Sequence, residues 1–146
     1  MSGIQTLPRR PEGKATYVRR WTCHPRSVPM ARYELRKALA EWGMTAVGDS
    51  AALVLSELMT NAVVHARVPG RQIETRFMRE DGDLRIEVHD ATRTVPAQRV
   101  PERGANSGRG LALVASLSAA WGVSPRSGVG KLVWALLKVP AEGRWG

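Results

Sequence analysis

Three polar side chains recur at every fourth position of an apolar stretch: Glu57, Asn61 and His65, within LVLSELMTNAVVHA at residues 53–66. A spacing of four stacks residues along one side of a helix, so the three form a single stripe. A carboxylate, a carboxamide and an imidazole aligned in this way can do chemistry. The carboxylate can orient or deprotonate a nucleophile. The carboxamide oxygen is a hard ligand that suits Mg²⁺. The competing reading is structural: the stripe is the wetted face of an amphipathic helix. His65 reads as an ordinary helix residue rather than a proton shuttle.

Two other segments add to the stripe. Leu84, Ile86 and Val88 alternate with polar residues, and the run ends at Asp90, which places a carboxylate at the end of a strand. Residues Asn106-Ser107-Gly108-Arg109-Gly110-Leu111 form a glycine-rich opening to a helix over Gly108–Ala119. Such a helix start offers free N–H groups and a positive dipole end to phosphate, and glycine lets the backbone come close. Each segment has a plain reading on its own, as a turn cap or a turn. Arg109 reads equally as a solvated charge or a phosphate contact.

The elements that must position these residues follow from periodicity and breakers. A strand is predicted over Lys14–Thr22 and a helix over Pro25–Trp42, stopped by Gly43. The Glu57 helix opens at Thr45 or Asp49 and ends before Pro69-Gly70. Strands over Gln72–Arg79 and up to Asp90 flank Asp81-Gly82, a hairpin signal. Thr92–Ser107 reads as a long basic loop that could act as a mobile lid. A short strand at Trp121 and Val123, a turn at 125–128 and a last strand over Lys131–Val139 complete the chain. The order β-α-α-β-β-α-β-β predicts an α+β two-layer sandwich, with helices on one face of a mixed, mostly antiparallel sheet. One domain spans 14–140, between a loose segment at 1–13 and a tail at 141–146.

Composition narrows the function. The 146 residues suffice for one domain with a real core. No apolar run is read as a membrane span, and the N-terminus lacks the apolar stretch of a signal peptide. The single cysteine, Cys23, excludes an internal disulfide and a cysteine-based zinc site, and the expected compartment is the reducing cytoplasm. The formal charge of +9 is carried mostly by scattered arginines. Without a basic run or an aromatic-interleaved motif, it points only weakly to nucleic acid.

With these pieces in order, the chain resembles the GHKL ATPase superfamily of DNA gyrase, histidine kinases and mismatch-repair ATPases. Within it, the chain is similar to the small bacterial anti-sigma-factor serine/threonine kinases. The resemblance covers roughly residues 14–138. It rests on Glu57-Leu58-x-Thr60-Asn61-Ala62-x-x-His65-Ala66 as the N box and Asp90 at the first Gly box. Gly108-Arg109-Gly110-Leu111 matches the second Gly box, and Gly130-Lys131-x-Val133-Trp134 the closing strand.

The resemblance implies ATP and Mg²⁺ as ligands. It makes Asn61 the metal ligand, Glu57 the general base and Asp90 the acceptor from the adenine amino group. Gly108, Arg109, Gly110 and Leu111 then border the phosphates. Two departures stand out. Asp90 is followed by Ala91-Thr92-Arg93-Thr94-Val95-Pro96 rather than by glycines, and Leu132 occupies a position read as that of a threonine supporting Asp90. Leucine cannot hydrogen-bond, which implies weaker adenine binding. The implied activity is transfer of the ATP γ-phosphate to a Ser or Thr of a small anti-anti-sigma (STAS-type) protein, with or without capture of a sigma factor. The alternative is a nucleotide-dependent binding module without turnover; nucleic-acid binding ranks last. The resemblance leaves a homodimer open, since such relatives are often dimers, and the sequence does not fix the oligomeric state.

Overall fold

A computed structural model describes residues 15–66, 72–90, 105–125 and 130–140; residues 65, 66 and 105–109 are described in backbone only. In chain order the elements are β1 (Ala15–Thr22), α1 (Ser27–Trp42), a 3₁₀ turn (Thr45–Val47), α2 (Gly48–Ala66), β2 (Gln72–Glu80), β3 (Asp83–Asp90), α3 (Ala105–Leu117), β4 (Ala120–Pro125) and β5 (Lys131–Leu137). The strands form one sheet in the order β1-β2-β3-β5-β4. Every described pairing is antiparallel, so the sheet is not mixed.

Local chemistry explains most boundaries. Gly43 ends α1 at φ 71°, and its N–H and the following turn satisfy the last carbonyls. Asp81 and Gly82, at φ 50° and 85°, supply the two left-handed residues of a tight hairpin in which Glu80 pairs with Asp83. One boundary departs from expectation. The third helix begins at Ala105, so Asn106, Ser107 and Gly108 are helical, and glycine does not open it.

The two faces of the sheet differ in kind. On the helix side, Tyr17, Phe77, Ile86 and Ala135 form one row across the strands. They belong to a single core with Leu35, Leu39, Val54, Leu55, Leu58, Met59 and Val114 from the three helices. By length and composition alone, Thr45–Val64 could cross a membrane, contrary to the reading that no run is long enough. Half of it is buried inside this core, which accounts for its apolarity.

The opposite face is ionic. Glu74 binds Arg20 at 3.3 Å and Arg76 at 2.5 Å, while Glu87 binds Arg85 and His89, each at 2.7 Å. Glu74, Glu87 and His89 are buried, and Arg85 lies over the Trp134 ring at 4.5 Å. Gly122, across from Trp134, has no Cβ because one would stand 3.0 Å from the indole.

Candidate functional site

The stripe on α2 is real but only half withdrawn from solvent. Leu55, Leu58, Met59 and Ala62 are buried in the core, whereas Glu57 and Asn61 are half-buried beside them. The His65 side chain lies outside the described residues, so its expected role has no structural account. The helix itself is tied to α1 by Arg32 donating to the Ser56 hydroxyl at 3.1 Å, and by Arg36 paired with Asp49 at 3.2 Å.

Glu57 reaches the third helix. Gly110 is buried in α3, and a Cβ built there would stand 2.7 Å from Glu57 Oε1. A Cβ that close would have to displace the carboxylate, so glycine at 110 leaves room for Glu57 in this position. The structure therefore brings together the N-box carboxylate and the second Gly-box segment, which lie more than fifty residues apart in sequence. Leu111 follows at a half-buried position of α3. Gly108 lies in the first turn of α3, and the Arg109 side chain is outside the described residues, as are residues 92–104 of the expected lid.

Asp90 ends β3 on the helix side of the sheet, 4% exposed. Its row runs Trp21, Ile73, Asp90, Lys131, Pro125 across all five strands. Trp21 is fixed in this row by its indole N–H, which donates to the Thr75 hydroxyl at 3.0 Å. Cys23 follows β1 and packs partly into the core. Burial pushes its thiol up from the ordinary range, and the negative charge of Asp90 adds to the effect. Cys23 thus borders the Asp90 end of the sheet, which its sequence context gave no reason to expect.

The expectation for Leu132 does not survive. Leu132 is the cross-strand partner of His89, not of Asp90. Successive strand residues point to opposite faces, so Leu132 leaves the sheet on the ionic side. The residue beside Asp90 is Lys131, half-buried at the start of β5. The lost hydroxyl at position 132 therefore takes nothing from the Asp90 side of the sheet.

The donor set sets terms for a cation. Among the described residues no group of three or more His, Cys, Asp or Glu side chains could hold a metal ion. A Mg²⁺ ion here would take a single oxygen from the Asn61 carboxamide and draw its other ligands from phosphate and water, the habit of magnesium at nucleotide sites. The residues fit a cation that arrives with a nucleotide.

The arrangement is that of a two-layer α+β domain, with a polar helix stripe, a glycine-bearing helix and a buried strand-end carboxylate on one side of the sheet. Residues 22–136 match the family of the histidine kinase-like ATPase domain, and the chain belongs to that family. Among solved structures it is similar to the histidine kinase domain from Erythrobacter litoralis EL346 blue-light activated histidine kinase. The identity is 28% and the TM-score 0.52, covering 66% of this chain and 46% of that one. The chain thus spans about half the length of that structure. No curated protein matches it.

Proposed function

We propose that the protein binds ATP with Mg²⁺ and regulates transcription as an anti-sigma-factor-type serine/threonine kinase. It would pass the γ-phosphate to a small anti-anti-sigma partner and hold or release a sigma factor accordingly. The observation that carries this reading is the approach of Glu57 to Gly110. It sets a carboxylate beside the helix segment read as the phosphate border, one turn from the carboxamide of Asn61.

Each residue then has a task. Asn61 offers a hard oxygen to the cation, which neutralises phosphate charge when bound. Glu57 takes the proton of the attacking hydroxyl or water. Asp90 accepts a hydrogen bond from the base amino group, and its burial strengthens that contact. The remaining work of phosphoryl transfer is positioning, which the packed α2–α3 pair can supply without covalent catalysis.

The test uses Glu57→Gln. The amide keeps the shape of the side chain and loses the base. Nucleotide affinity measured by calorimetry should be retained, while transfer of labelled phosphate to a co-purified partner should fall by roughly 10²–10⁴-fold. A wild type that binds no ATP at millimolar concentration would sink the reading outright. A wild type that transfers no label, yet holds its partner more tightly with ATP than without, would leave a nucleotide-dependent binding module in place of the enzyme.

A further inference from the structure

We propose that Lys131 is a base-reading residue of the nucleotide site, acting beside Asp90 as the donor of a carboxylate–ammonium pair. The inference rests on the nucleotide-binding reading above and adds a residue that the reading does not use.

Three observations carry it. First, the strand register makes Lys131 and Asp90 direct cross-strand partners. Side chains of such partners leave the sheet on the same face, with Cβ atoms about 4.5–5.5 Å apart. Second, the face is settled by packing. Ala135 and Leu137 on β5, and Ile86 and Val88 on β3, share the parity of Lys131 and Asp90 and are buried in the core under the helices. Lys131 therefore belongs to the helix side, the side of Glu57 and Asn61, and not to the ionic face. Third, the pair sits at the end of both strands, where β3 stops and β5 starts. Asp90 is buried, whereas Lys131 is half-buried. The carboxylate is thus the inner group and the ammonium the outer one, and the lysine stem can lie along apolar neighbours while its head reaches solvent at the strand ends.

The chemistry of the pair matches a purine edge. Adenine presents an amino donor at position 6 and a ring-nitrogen acceptor at N1, side by side. A carboxylate alone reads the first and leaves the second to water. A carboxylate and an ammonium mounted on adjacent strands can read both. The Lys131 ammonium can only donate, so its partner must be the acceptor N1. Asp90 in its ionised form can only accept, so its partner must be the amino group.

The experiment compares ATP with 1-deaza-ATP, in which N1 is replaced by C–H, on the full chain with Mg²⁺. The variants are Lys131→Met, which keeps the stem and removes the charge, and Lys131→Arg, which keeps a donor. Wild type should bind ATP roughly 10- to 100-fold more tightly than 1-deaza-ATP, the size expected for one hydrogen bond from a charged donor. Lys131→Met should lose that factor for ATP and nothing for 1-deaza-ATP, and Lys131→Arg should recover part of the preference. Equal losses for both nucleotides would make Lys131 a phosphate contact or a support for the fold and overturn the proposal, as would no loss for either. Wild type that binds both nucleotides equally would overturn it while leaving the nucleotide site standing. Wild type that binds neither would instead remove the nucleotide reading itself.

Discussion

The two faces of the sheet bury different groups by opposite means. Under the helices, the rows across β1, β2, β3 and β5 are mostly aliphatic and aromatic, with the Thr75 hydroxyl buried among them and Asp90 and Lys131 at one end. On the other face, the same strands bury two carboxylates and an imidazole, each carboxylate held by two cationic or imidazole partners. The helix side is stabilised by removal of apolar surface from water, which is indifferent to pH. The ionic side is stabilised by hydrogen bonds to charges, which are not. The functional reading concerns the polar end of the first face, so the two sources of stability and the site can be perturbed separately.

The largest effect should come from Phe77, 0% exposed on the helix side and stacked on Tyr17 at 5.7 Å. Phe77→Ala removes a full aromatic ring and leaves a cavity, a change worth about 3–5 kcal/mol. Denaturant unfolding should show that loss equally at pH 7 and pH 4. A loss that shrinks in acid would mean that the core and the ionic face are not independent.

Glu87 should behave in the opposite way. The hydrogen bond with His89, helped by Arg85 against the opposing effect of burial, holds its carboxyl below the usual range. A depressed folded pKa contributes stability above the ordinary carboxylate range, lost as pH falls through the folded value. Glu87→Gln should therefore cost about 1–3 kcal/mol at neutral pH, the penalty of a partly unsatisfied buried cluster. Thermal scans should show the gap between wild type and variant closing as the pH falls below the ordinary carboxylate range and through the lowered folded value, because the wild-type side chain then becomes neutral as well. A gap that stays constant with pH would assign the loss to packing.

Gly110 should give the smallest change in stability and the most informative one for the site. Alanine in a helix interior is favoured over glycine by about 1 kcal/mol, yet its Cβ would stand 2.7 Å from Glu57 Oε1. The carboxylate is the far end of a half-buried side chain and can swing away. Gly110→Ala should thus unfold within about 1 kcal/mol of wild type while displacing Glu57, with phosphoryl transfer falling towards the level of Glu57→Gln. Unchanged transfer would show that the position of Glu57 against α3 is not the productive one.

Much of this architecture was legible in the chain. Period-3.6 and period-2 patterns, together with Gly43 and Asp81-Gly82, placed the first two α-helices and the central hairpin, because amphipathic alternation and left-handed turn residues are local properties. The stripe of Glu57 and Asn61 needed only helical spacing. The start of α3 was misplaced because glycine is a poor helix former, and local propensity could not anticipate the carboxylate that packs against Gly110. Lys131 was overlooked for a related reason. Residues 132–137 of β5 are all apolar, LVWALL, so no alternation in the sequence reveals which of them share a face. Pairing with β3 decides it, putting Lys131 against Asp90 and Leu132 against His89. The sequence by itself determined which residues could do chemistry and the elements that carry most of them. Only the tertiary structure decided which of those residues meet, because strand register and helix packing are set by contacts between segments far apart in the chain.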